Sequence, residues 1–186
     1  GEVVEEVAAG AAMLSGVTVT GGEPTLQPRF LQALVAQLKT DARTKGLTVA
    51  VDSNGVVPED TWGKLLPLID GAFISIKAGS QDAYTRITGS PTALAQAESS
   101  LRTLHAANKL LEVRIVLIAG LNDSPQEIHA MAHLCARACP SVPVTLVPFS
   151  PVGVRAQYAH LTAPDQDTLL RGRAAFQEAQ AASGCA

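Results

Sequence analysis

Short β-branched runs alternate along this chain with longer stretches in which apolar residues recur every three to four positions. Val3, Val4, Val7, Ala8, Ala11 and Leu14 keep the helical period and predict a helix over 1–14. Gly16-Val17-Thr18-Val19-Thr20 predicts the first strand, and Gly21-Gly22 end it. Pro24 stands where a helix can begin without a backbone N–H, and Phe30, Leu31, Leu34, Val35 and Leu38 mark that helix's buried face. The same reading predicts a strand over 48–52, a short helix over 58–66, a strand over 72–77, helices over 81–87 and 91–107, and a strand over 112–118. Asn122-Asp123-Ser124-Pro125 caps a helix running to about 138. A fifth strand over 143–148 and a last helix over 164–183 complete the pattern.

Strands alternating with helices through short links imply a parallel sheet with right-handed crossovers. The strands read as apolar on both faces, as in a sheet covered by helices. In such sheets a ligand sits beyond the C-terminal strand ends. Those ends offer Thr20-Gly21-Gly22-Glu23-Pro24, Asp52-Ser53-Asn54-Gly55, Ser75 with Lys77, Ala119-Gly120-Leu121-Asn122, and Pro148-Phe149-Ser150.

Composition narrows the class. At 186 residues the chain reads as one domain, 1–186, with no linker or low-complexity block. Hydrophobic residues make up 47% and charged residues 17%, which excludes intrinsic disorder. Net charge is −3 with scattered Lys and Arg, so no basic cluster points to nucleic acid or a membrane surface. The apolar run at 110–121 is broken by Glu112 and Arg114 and is too short to span a bilayer. The acidic start Glu2-Val3-Val4-Glu5-Glu6 is unlike a signal peptide. Three cysteines make neither a disulfide framework nor a four-thiolate metal site, and the expected compartment is the reducing cytoplasm.

Each local motif has a plain reading beside a functional one. Gly21-Gly22-Glu23-Pro24 makes a βα turn, yet its carbonyls and carboxylate also suit an ammonium ligand. No Gly-Lys-Ser/Thr follows, which argues against a phosphate loop. Asp52-Ser53-Asn54-Gly55 reads equally as an Asx turn, and Lys77 as a lysine snorkelling at a strand end. Cys135 and Cys139, with His129 and His133, have zinc-like spacing, but the two pairs do not face one ion; buried thiols and partly exposed histidines are expected. Cys185, next to the end, reads as incidental.

Taken together, the strand-end motifs resemble the radical S-adenosylmethionine (radical SAM) superfamily, and within it the activating enzymes of glycyl-radical enzymes, such as pyruvate formate-lyase activating enzyme and the YjjW-type activases. Val17 through Pro24 is similar to the family's second strand with its Gly-Gly-Glu motif. Val51-Asp52-Ser53-Asn54-Gly55 is similar to its Asp-Thr/Ser-Asn-Gly, Ile74-Ser75-Ile76-Lys77 to its Asp-Leu-Lys, and Ile87-Thr88-Gly89 to its Leu-Thr-Gly. Arg114 through Gly120 and Leu146 through Phe149 resemble the fifth and sixth strands.

The resemblance implies an α/β fold, a partial open (β/α)6 TIM-like barrel of which about five parallel strands are present. It implies an oxidoreductase that cleaves SAM reductively and raises a glycyl radical on a partner enzyme. The implied cofactors are SAM and a 4Fe-4S cluster, and the implied partners are a glycyl-radical enzyme and an electron donor such as flavodoxin or ferredoxin. Carried over by position, Gly21, Gly22 and Glu23 hold the methionine ammonium. Asp52, Ser53 and Asn54 lie near the methionyl and ribose end, Lys77 pairs with the carboxylate or ribose oxygens, and Arg114 supports the same end. The backbone near Ile118 and Pro148 flanks adenine. Ser75 stands where members often have Asp, a carboxylate of the family's monovalent-cation site, and Ser150 where they often have His. No residue of this chain is assigned as catalytic or as a metal ligand.

The family's cluster is held by Cys-x3-Cys-x2-Cys, and this sequence contains no such run. The expectation is a chain that begins downstream of the cluster loop, has the positioning half of the site, and by itself does not generate the radical. Two other classes stay open: a radical SAM maturase of another substrate class, and a non-catalytic barrel-like binding module. An aldolase-like Schiff base at Lys77 is a weaker third.

Overall fold

A computed structural model describes residues 1–58 and 60–182. Five strands, β1 (Gly16–Val19), β2 (Thr48–Ser53), β3 (Gly71–Ile76), β4 (Leu110–Leu117) and β5 (Val144–Pro148), form one sheet in sequential order with every pairing parallel. The sheet does not close: β1 and β5 are its two edges. The fold is therefore the partial, open α/β barrel expected, with helices outside.

Those helices are α1 (Glu2–Gly10), α2 (Pro28–Thr40), α3 (Asp60–Leu65), α4 (Gln81–Thr88), α5 (Ala93–Ala106), α6 (Pro125–Ala138) and α7 (Gln166–Ala182). Two boundaries differ instructively from the sequence reading. The helix expected over 1–14 stops at Gly10 and tightens into a 3₁₀ turn over Ala11–Met13. Pro24 opens only a 3₁₀ turn, Pro24–Leu26, and α2 begins at a second proline, Pro28. In α6 the capping residue is Ser124, whose side chain accepts from Glu127 N–H. Residue 183, where the last helix was expected to end, and Cys185 lie outside the described residues.

Strand alternation sorts the sheet into two unlike faces. Val49, Val51, Ala72, Ile74, Ile76, Val113, Ile115 and Leu117 are completely buried on the face covered by helices, against Leu31, Val35 and Leu38 of α2, Leu101 and Leu104 of α5 and Met131 of α6. The opposite, concave face carries Asp52, Phe73, Ser75, Glu112 and Arg114, all half-buried, and Lys77 continues the row past β3. The expectation of strands apolar on both faces is corrected here. Only the outer face is a hydrophobic core, because an open barrel of five strands surrounds a space that polar side chains line rather than a second layer of helices.

Candidate functional site

The site is built from the β1 exit outward. Gly21 takes φ +147°, a conformation that L side chains rarely adopt, and so turns the chain sharply after β1. A methyl group at Gly21 or Gly22 would meet nothing within 4 Å, so both backbones border open space. Their carbonyl oxygens accept no hydrogen bond from the described residues.

Glu23 follows and ties β1 to β2. Its Oε1 accepts from Thr25 N at 3.1 Å, Thr25 Oγ1 at 2.6 Å and Ser53 Oγ at 2.8 Å. Its Oε2 accepts from Asn54 N at 2.8 Å and from no other described residue, leaving that oxygen with acceptor capacity on the open side. Ser53 is buried, and its hydroxyl is engaged twice: it donates to Glu23 and accepts from Gly55 N at 3.1 Å. Asn54 Oδ1 accepts from Val56 N at 2.8 Å, an Asx turn. Ser53 and Asn54 thus shape the β2 exit and hold Glu23.

Across the concave face, Arg114 joins three strands. Its Nη1 donates to Asp52 Oδ2 at 2.9 Å and its Nε to Glu112 Oε2 at 2.9 Å, while the guanidinium lies 4.2 Å from the centroid of the Phe73 ring. Glu112 is held below the usual glutamate value by a hydrogen bond from Thr145 and by Arg114, against the opposing effect of burial. Phe73, Glu112 and Thr145 were not singled out from the sequence. Their signal was the period-two row Phe73, Ser75, Lys77 interleaved with Ile74 and Ile76, and Glu112, Arg114 interleaved with Val113 and Ile115.

Lys77 lies at the end of this row. Burial lowers its ammonium below the ordinary lysine value, and the carboxylates of Asp52 and Glu23 partly restore it. Its Nζ makes no hydrogen bond to any described residue. The ends of β1, β2, β3 and β4 thus converge on two free carbonyls, an under-used carboxylate oxygen and an unbonded, desolvated cation. That donor set fits a zwitterion carrying an ammonium and a carboxylate, such as the amino-acid end of SAM. Ser75 shares the concave face, its hydroxyl bonded to no described residue, and Ser150 lies exposed past β5, where its Oγ accepts from Val152 N at 3.4 Å.

The same residues do not fit an iron–sulfur cluster. Cys135, in α6, and Cys139, just past its end, are buried free thiols within the helical layer, His129 and His133 face solvent, and no metal-binding group of three or more His, Cys, Asp or Glu exists among the described residues. Among the same residues no helix is long and apolar enough to cross a membrane.

Residues 1–135 match the description "Radical SAM superfamily". The isethionate sulfite-lyase activating enzyme of Desulfovibrio desulfuricans is 28% identical over 82% of this chain and 47% of its own length. The indoleacetate decarboxylase activating enzyme of Tractidigestivibacter scatoligenes is 29% identical over 75% of this chain and 42% of its own. The chain thus spans about half or less of these relatives. A solved domain of pyruvate-formate lyase-activating enzyme from Bacteroides vulgatus shares the fold, with a TM-score of 0.70 and 21% identity over 89% of this chain and 94% of that one.

Proposed function

This chain belongs to the radical SAM superfamily, and from that premise we propose that it is the SAM-positioning part of an activating enzyme that raises a glycyl radical on a partner glycyl-radical enzyme. The observation that carries the proposal is the donor set for a zwitterion at the exits of β1 and β3, on a chain whose relatives include the isethionate sulfite-lyase and indoleacetate decarboxylase activating enzymes.

Bound SAM supplies the radical chemistry, through one-electron cleavage of its C5′–S bond. The chain's own residues bind and orient. The carbonyls of Gly21 and Gly22 and the free side of Glu23 Oε2 accept the three ammonium protons. Lys77 would pair with the carboxylate, so that the exits of β1 and β3, with β2 between them, would hold the two charged groups of one ligand. Ser53 and the Asn54 amide hold Glu23 so that its second oxygen stays turned to the open side. Arg114 holds Asp52 in place across β3, and Phe73 backs the guanidinium. Fixing these groups before the ligand arrives lowers the ordering cost of binding.

The described residues offer no thiolate set for a cluster, so in this reading the stretch positions SAM and does not by itself cleave it. An electron donor of the flavodoxin or ferredoxin kind and a reducing, cytoplasmic setting belong to the same proposal. The test uses the full-length protein, reconstituted with iron and sulfide and reduced. Formation of 5′-deoxyadenosine, followed by a glycyl-radical signal in electron paramagnetic resonance on mixing with the partner, is the expected result. SAM cleavage with no radical on any glycyl-radical enzyme encoded beside it would overturn the activase assignment.

A further inference from the structure

The Lys77 ammonium makes no hydrogen bond to a described residue, and Lys77 lies just past the end of β3. The connection from β4 to α6, together with the first turn of α6, grips the chain leaving β3 at Lys77 and again at Gly79 and Ser80. Asn122, only 1% exposed, donates from Nδ2 to the Lys77 carbonyl at 2.7 Å and to the Val116 carbonyl at 2.9 Å, while its Oδ1 accepts from Ile118 N at 2.7 Å. Two residues on, Glu127 Oε2 accepts from Gly79 N at 2.9 Å and Ser80 N at 3.1 Å, and its Oε1 from Ser80 Oγ. Gly79 itself lies so close to α6 that a Cβ there would clash with Met131 N and Ala130.

A second buried group lies by the preceding peptide, the one that carries the Lys77 N–H. Tyr84, on α4, is completely buried, and its Oη makes no hydrogen bond of ordinary geometry. Burial pushes its phenol up to about 12, and the Lys77 backbone N–H is close enough to oppose that shift. Lys77 is therefore presented by its main chain: the carbonyl is bonded by Asn122, the amide lies beside Tyr84, and the following turn is pinned by Glu127.

We propose that Asn122 is a positioning residue that acts through Lys77: by tying the Lys77 carbonyl to the end of β4 it aims the ammonium into the concave site, where it meets the carboxylate of the bound ligand. This deepens the function proposed above and rests on it for the ligand, but the presentation of Lys77 is a property of the chain alone. The alternative, that Asn122 merely closes the β4–α6 loop, predicts a loss of stability with no special link to Lys77.

The experiment has one arm for each part. Asn122→Leu is nearly isosteric and uncharged, and removes the donors to the Lys77 and Val116 carbonyls without adding a charge beside Lys77. In the ligand-free full-length protein, lysines are labelled by reductive ¹³C-methylation and the Lys77 resonance is titrated, assigned by its absence in Lys77→Met. The proposal expects the Lys77 midpoint to rise toward the ordinary lysine value in Asn122→Leu, because a freed side chain reaches solvent; an unchanged midpoint in a folded variant overturns it. In the second arm, SAM affinity is measured for Asn122→Ala, Lys77→Met and the pair. Misplacement of a binding group costs on the order of tenfold or more, and groups acting as a unit are non-additive. The proposal expects about a tenfold loss for Asn122→Ala that disappears on the Lys77→Met background; equal losses on both backgrounds overturn it. If Lys77→Met leaves SAM affinity unchanged, the ligand assignment fails, whereas the titration still decides whether Asn122 presents Lys77. Should Asn122→Ala fail to fold, Asn122→Leu takes its place in the cycle.

Discussion

Arg114 on β4 reaches over β3 to Asp52 on β2, and its Nη1 donates to Asp52 Oδ2 at 2.9 Å with Phe73 stacked beneath the guanidinium. Three strands of an unclosed sheet are thereby cross-linked on the face that also carries Lys77. The pair is partly solvated, with side chains 35% and 25% exposed, so it contributes geometry more than stability.

Arg114→Met is accordingly expected to lower unfolding free energy by no more than about 1 kcal/mol, while SAM affinity falls about tenfold as Asp52 loses its fixed orientation. Arg114→Lys keeps the charge but not the planar guanidinium that reaches Asp52 and Glu112 at once, and should recover little of the affinity. Urea titration paired with calorimetry separates the two effects. A large stability loss with unchanged affinity would make the pair structural only.

Glu23 divides its two oxygens between fold and ligand. Glu23→Gln places an amide NH₂ against either the three donors on Oε1 or the Asn54 N–H on Oε2. The expected cost is about 1–3 kcal/mol, together with weaker SAM binding. Thermal melts show the first and a SAM titration the second; a variant as stable as the parent would contradict the hydrogen-bond assignment.

Gly21 and Gly22 are separable. Gly21→Ala is strained because of its φ of +147° and should destabilise by roughly 1–3 kcal/mol. Gly22 has no such constraint and no neighbour within 4 Å of an added Cβ. Gly22→Ala should therefore melt like the parent yet bind SAM more weakly, its methyl standing in the ligand's space. Equal SAM affinity in that variant would place the ligand elsewhere.

The desolvated Lys77 gives opposite pH slopes for stability and binding. Its folded pKa lies below the ordinary 10.5, so between the two values the unfolded state binds more protons and Lys77's contribution to stability rises with pH. Over the same window the ammonium is lost and SAM affinity falls. As pH is taken up to 10.5, Lys77's part should raise both the melting temperature and the Kd of the parent, stability rising while affinity falls, and Lys77→Met should flatten that part of both.

Much of this fold could be read from the chain because each helix and strand carries its own periodicity, as Leu31, Leu34, Val35 and Leu38 do in α2. The strand-end motifs likewise marked Gly21, Glu23, Asp52 and Lys77 as neighbours in space. What stayed hidden was long-range. Glu23 lies 30 residues from Ser53, Asp52 62 from Arg114 and Lys77 45 from Asn122, and no local pattern encodes those partners. The two-faced sheet was missed for a related reason. Ala50, Phe73 and Val116 occupy concave positions among the polar residues, so each strand looks apolar throughout until the register aligns them.

The central claim is that the exits of β1 and β3 bind SAM by its amino-acid end, and the most direct measurement compares SAM with its decarboxylated form by calorimetry. The account predicts that the full-length protein prefers SAM and that Lys77→Met narrows the preference by about tenfold, with one charge–charge contact removed. A preference untouched by that substitution would contradict it.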